Sequence, residues 1–169
     1  MAIKNAIVLM VAILLGQATY AQGRWRFVEE ATIKGSICGV IRKGYLFKVG
    51  ICDFYMISEW TRQRVLTLNP SVKIFERDSD YKLGIEGFDE PVICKKVIDV
   101  IDTHMDGVFN GWDGETVWKM QNGQTWQQSS FGYLYQYEYS PHVLIFEFRG
   151  EWIMQVEGLE ETIEVKKLR

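Results

Sequence analysis

Asp102, Asp106, Asn110 and Asp113 stand at the first, fifth, ninth and twelfth positions of one stretch, with Gly107 at the sixth. Oxygen side chains at that spacing are what a calcium loop uses. The match is partial: His104 takes the third position, the last ligand is an aspartate rather than a bidentate glutamate, and no helical pattern flanks the stretch. Read plainly, it is an acidic connection whose Asp, Asn and Gly favour turns. His104 and His142 are the only histidines, and Cys38, Cys52 and Cys94 the only cysteines, without C-x-x-C spacing. Zinc needs at least three ligands, and the cysteines all lie in the other half of the chain from the histidines. Cys52 with His104 would make a nucleophile and base, but no local signature marks the pair. The carboxylate pairs Asp89-Glu90 and Glu160-Glu161 occupy equivalent places in a repeat described below, which reads as solvated turns rather than an acid and base. No catalytic residue, no metal and no cofactor is assigned.

Phe131, Tyr133, Tyr135, Tyr137 and Tyr139 are five aromatics at every second position. On a strand they project from one face, over about 26 Å at 3.3 Å per residue. Such a row suits sugar rings, an extended peptide or a protein partner, because large rigid rings give contact at small entropic cost. A small barrel cannot enclose all five; at least two are expected in its core and the rest on its surface. Trp112 and Trp126, with Gln124 nearby, would line a polar-aromatic pocket or else fill the core. These aromatics and Gln124 are the candidate ligand-binding residues.

The chain of 169 residues carries a formal net charge of −3. It has no basic run interleaved with aromatics, so nucleic acid is a poor partner. Lys4, the apolar run Ile7 to Leu15 and the small residues ending at Ala21 form the pattern of a secretory signal peptide over residues 1–21. The apolar run is too short for a membrane span, which needs about 20 residues. Secreted or periplasmic location is therefore expected, with about 148 residues left from Gln22, enough for one ordinary domain or two very small ones. In an oxidising compartment three cysteines allow one bridge. Cys38 with Cys52 is the expected pair, and Cys94, which aligns with Val165, is expected to be buried.

Sliding the chain by 71 residues places Asn69–Val97 on Ser140–Leu168 without a gap, and ten of the 29 pairs are identical, Pro70/Pro141, Phe75/Phe146 and Gly87/Gly158 among them. Internal similarity of this kind means a repeated unit. Upstream, an offset of 79 brings Gly44 onto Gly123 and Phe47 onto Trp126, so the first copy is expected to hold about eight extra residues near 50–67. That insertion is expected to form a loop running into a strand, with a helical turn after Ser58 as the alternative.

Each copy reads as short strands. Asn122-Gly123 predicts a type I′ hairpin turn between Thr116–Met120 and Thr125–Ser129, and Ile37–Phe47 predicts an earlier hairpin of the same plan. Gly132–Tyr139 alternates as a strand, and Val143–Phe148, Trp152–Glu157 and Thr162–Leu168 complete the second copy. The fold class is all-β, two tandem small SH3-like modules, with OB-like as the alternative, arising by internal duplication. The first module spans 22–101 and the second 102–169, with no linker between them.

Met120-x-Asn122-Gly123-Gln124-x-Trp126-x-Gln128, followed by Val143-x-Ile145 and Val165-x-Lys167-Leu168, resembles a group of small exported bacterial β domains marked by L-x-N-G-Q-x-W. The resemblance covers about Asp106 to Leu168. It implies the fold and a bacterial origin, and brings no catalytic residue with it.

The residues point to a non-catalytic binding protein whose aromatic face meets a glycan, a peptide or a protein. One alternative is a cell-envelope enzyme or enzyme inhibitor with a site between the copies, where Cys52, His104 and the tyrosines would meet. Another is a homodimer that buries the tyrosines.

Overall fold

The computed structural model describes residues 23–168, so the signal-peptide pattern at 1–21 lies outside the described residues. The protein is all-β, and no helix forms among those residues. None is therefore long and apolar enough to cross a membrane.

The first half supplies β1 (Arg26–Thr32), β2 (Ser36–Arg42), β3 (Leu46–Val49), β4 (Asp53–Ile57), β5 (Arg62–Leu68), β6 (Ser71–Arg77), β7 (Asp80–Ile85) and β8 (Val92–Val97). The second supplies β9 (Ile101–His104), β10 (Val108–Phe109), β11 (Val117–Lys119), β12 (Thr125–Gln128), β13 (Glu138–Tyr139), β14 (His142–Phe148), β15 (Glu151–Val156) and β16 (Thr162–Lys167). One six-stranded sheet runs β1-β6-β7-β8-β4-β3 and the other β9-β14-β15-β16-β12-β11, each beside a two-stranded ribbon, β2-β5 or β10-β13. Both six-stranded sheets curl until their edge strands touch. Ile33 bridges Val49 in the first and Met105 bridges Met120 in the second, with Lys34 N–H on Lys48 C=O at 3.0 Å matched by Asp106 N–H on Lys119 C=O at 2.8 Å.

These pairings set the correspondence between the halves. Phe47 faces Tyr55 across β3-β4 as Trp118 faces Trp126 across β11-β12. Phe47 is thus equivalent to Trp118, not to Trp126, and the offset of 71 continues through the hairpins. The expected insertion near 50–67 is absent: β4 and β5 fill that stretch, with no helical turn after Ser58. The expected hairpin at Ile37–Phe47 is corrected too, since β2 pairs with β5 rather than β3. The match of Gly44 with Gly123 misleads because glycine marks turns of every kind, whereas the ladder registers are unique.

Asn122-Gly123 closes its hairpin by a different turn from the one expected. Gly123 N–H bonds Met120 C=O at 2.9 Å, and Met120 N–H bonds Gln124 C=O at 2.9 Å. Only Gly123, at φ 85°, enters the left-handed region there. This is a three-residue loop, a type I turn followed by a left-handed glycine, which also matches the strand twist. Asn122 Oδ1 accepts the Gln124 N–H at 3.0 Å and holds it.

Each half has its own core, one around Phe47, Tyr55, Ile74 and Cys94 and one around Phe109, Trp118, Trp126 and Ile145. A third cluster joins them: Leu46, Phe54 and Met56 from β3-β4 pack on Leu144 and Phe146 from β14. The hairpin β3-β4 and strand β14 are therefore buried on both faces. That explains their nearly continuous apolar runs, since a strand covered on both sides has no polar face to show. The equivalent positions in the other copy differ: Val117, Thr125 and Gln127 replace Leu46, Phe54 and Met56, and Lys73 replaces Leu144. Those faces stay open, so the stacking stops at two.

Candidate functional site

The aromatic stripe rides on a segment that is extended but mostly unpaired. Only Leu134 bridges Trp112, and only Glu138–Tyr139 forms a strand, so the continuous strand expected at Gly132–Tyr139 is not there. Side chains hold the segment where backbone does not. Buried Gln128 accepts the Gly114 N–H at 2.8 Å and donates from Nε2 to the carbonyls of Ser130 and Gly132 at 2.9 and 3.0 Å. The backbones of Trp112 and Leu134 exchange two bonds, 3.0 and 2.9 Å. Gly111, at φ 89°, lets Leu134 approach so closely that an added Cβ would lie 1.8 Å from its carbonyl oxygen.

With Gly132 laid on Trp112 and Ile163 and Leu134 packed on the core, the odd-numbered residues point away from the protein. Phe131 is 98% exposed, and Tyr133, Tyr135, Tyr137 and Tyr139 lie between 65% and 76%. None of the five is core, contrary to expectation; the Trp residues and methionines fill the interior without them. Trp112 and Trp126, expected as ligand contacts or core, are buried in the core and present no face to a ligand. Gln124 caps that core instead, its Oε1 accepting the Trp126 indole N–H at 3.2 Å.

The acidic stretch does not gather round a cation. Asp113 accepts from the Thr116 hydroxyl at 2.6 Å, Asp106 and Asn110 are exposed elsewhere, and Asp102 is engaged with another partner set. Among the described residues no group of three or more His, Cys, Asp or Glu side chains converges as a metal site requires. Cys38 and Cys52 are free, exposed thiols, one on β2 and the other at the β3-β4 tip. They do not flank one hairpin, which removes the ground for bridging them. Cys94 is buried, and burial pushes its thiol well above the ordinary range.

A concave feature lies between the halves, a cleft of about 200 Å³ lined by Lys34, Ser36, Tyr45, Lys48, His142 and Glu157, with Leu46, Leu144 and Gln155 at its base. Asp102 bonds the Lys48 ammonium and also His142 Nε2, the latter at 2.5 Å, while His142 Nδ1 lies 3.7 Å from Glu157. Burial raises the Asp102 carboxyl, but the hydrogen bonds from Lys48 and His142 and their charges outweigh it, leaving the group below the usual carboxylate range. Tyr45 is pushed up to about 12, by burial first and then by Glu157 and Cys38. Cys52, His104 and the stripe tyrosines Tyr133 to Tyr139, expected at a site between the copies, do not line this cleft.

The chain matches no family model, no curated protein and no solved structure.

Of the cleft residues the sequence marks only His142, as one of two histidines; Lys34, Tyr45, Lys48 and Glu157 are ordinary in isolation. Gln155 carries no signal either, since a polar residue between Met154 and Val156 is what a strand with one open face shows, and only the fold buries it.

Proposed function

We propose that this is an exported bacterial protein, secreted or periplasmic, that binds rather than catalyses, and that the Phe131–Tyr139 stripe is its working surface. The observation that carries this is the exposure of all five aromatics on the outer side of one segment. Soluble proteins rarely display so large a continuous apolar patch without using it. The glutamine bracing by Gln128 supports the reading, because a pre-positioned segment loses little entropy on binding. Export rests on the residue 1–21 pattern, and bacterial origin on the L-x-N-G-Q-x-W resemblance.

The two halves are proposed as duplicated small barrel modules. Their repeated ladder registers and edge-to-edge closure support that origin. Six strands in each curled sheet exceed the five of an OB barrel, so the OB-like alternative is set aside and the SH3-like reading is kept only in the sense of a small, tightly curled barrel.

The test is capture of cell-wall glycans, polysaccharides and extended peptides by the purified protein and by Tyr135→Ala/Tyr137→Ala. Capture lost in the double variant supports the reading; equal capture by both ends it. The second reading, a cell-envelope enzyme or inhibitor, draws on His142, which lines the cleft and bonds Asp102 beside it. It requires that His142→Ala removes an activity while the stripe variant keeps it.

A further inference from the structure

Resting on the reading of the stripe as the interaction surface, we propose that its partner is a second copy of the chain. Each protomer lays Phe131–Tyr139 antiparallel across the same segment of its partner about a two-fold axis at Tyr135.

The first argument is area. Aromatic side chains bury roughly 150–250 Å² each, and at the exposures seen here, 65% to 98%, five of them offer about 600–900 Å². A standard stable interface takes about 800 Å² from each partner. The stripe therefore matches one complete protomer face.

The second is self-complementarity. An isologous contact sets the same patch against itself, with residue i on j and j on i. A two-fold at Tyr135 places Tyr133 on the partner's Tyr137 and Phe131 on the partner's Tyr139, so every aromatic meets an aromatic in the offset or edge-on packing such rings prefer. All five side chains are uncharged; Glu138, the one charge in the segment, alternates to the other side and is half-buried. Nothing on the face repels its own copy.

The third is the contrast with the first half. The equivalent row is Trp60 followed by Arg62, Arg64, Leu66 and Leu68 of β5, with both arginines exposed. The same two-fold there would set Arg64 against itself, and like charges directly opposed are destabilising. Self-association is thereby confined to the second half, and a single isologous patch closes at two copies.

Sedimentation and light scattering of the purified protein across the micromolar range test this. Wild type is expected to run at twice the mass of one chain, as is Tyr135→Phe. Tyr135→Ala/Tyr137→Ala and Tyr135→Arg, the latter placing like charges at the axis, are expected at half that mass with an unchanged circular dichroism spectrum. A wild-type monomer, a mass that climbs past two copies, or a dimer that survives Tyr135→Arg overturns the proposal. A wild-type monomer whose double variant loses a glycan or peptide ligand sinks the dimer and keeps the stripe as a binding face; a monomer with no ligand on the stripe sinks both.

Discussion

The side-chain amide of Gln155 closes both backbone hydrogen bonds of Leu46, its Oε1 taking the N–H and its Nε2 giving to the C=O, each at 2.9 Å. The two residues are 109 apart and belong to different halves. In effect a side chain replaces a neighbouring strand at the floor of the shared core. Gln63 does the same for Glu90 at 3.1 and 2.9 Å, while Gln128 joins the Gly114 N–H to the carbonyls of Ser130 and Gly132. Among the described residues, three of the four buried polar ones, Thr103 being the other, thus serve as detached peptide groups.

Gln155→Ala should be costly, because it strands a buried N–H and a buried C=O together. At about 1–3 kcal/mol for each unpaired group, the expected loss is about 3 kcal/mol in urea unfolding. A loss under about 1 kcal/mol would show that Leu46 finds other partners.

Substitutions on the stripe should leave stability alone. Tyr135→Ala/Tyr137→Ala removes side chains exposed by 76% and 65%, so monomer unfolding should move by no more than about 0.5 kcal/mol per site. A larger loss would mean that the rings pack within their own chain.

Gly111→Ala should release the stripe from its scaffold. The residue sits at φ 89°, and its Cβ would strike the Leu134 carbonyl. Gly123→Ala is the control, with a similar φ of 85° and open space around it. A left-handed alanine costs about 1–2 kcal/mol, so the control should lose that much and Gly111→Ala about 3 kcal/mol or more. Amide exchange at Leu134 should quicken in Gly111→Ala alone.

Asp102 ties acid stability to the contact between halves. Its folded pKa is depressed, so its contribution is present above the unfolded value of about 4 and disappears as pH falls through the folded one. The side chain is still partly exposed to solvent, which holds the effect to about 1 kcal/mol. Asp102→Asn should lose stability near pH 6 and show a shallower drop between pH 6 and pH 3. Parallel curves for variant and wild type would remove Asp102 from this role.

Thiol titration of the folded, reduced protein should count two fast cysteines, Cys38 and Cys52, and a third, Cys94, only on unfolding. The thiolate is the reactive form, and burial disfavours it at Cys94.

What was legible from the residues alone is local or periodic. The all-β class followed from short alternating segments and turn residues, and the repeat from identities that sit where the ladders demand them: β6 and β7 map onto β14 and β15 end to end at an offset of 71. The aromatic row was legible as a row because alternation survives even in a segment that is not a strand. Which side of it met the protein was not, since period two names two faces without saying which is covered. Gly132 and Leu134 pressed on Trp112 decided that. Pairings across long sequence gaps were equally closed to the sequence: β2 with β5, Asp102 with Lys48 and His142, and Gln155 with Leu46. Each joins residues that are unremarkable alone, and their meeting depends on two curled sheets stacking through Leu46, Phe54, Met56, Leu144 and Phe146, a packing that exists only once both halves have folded.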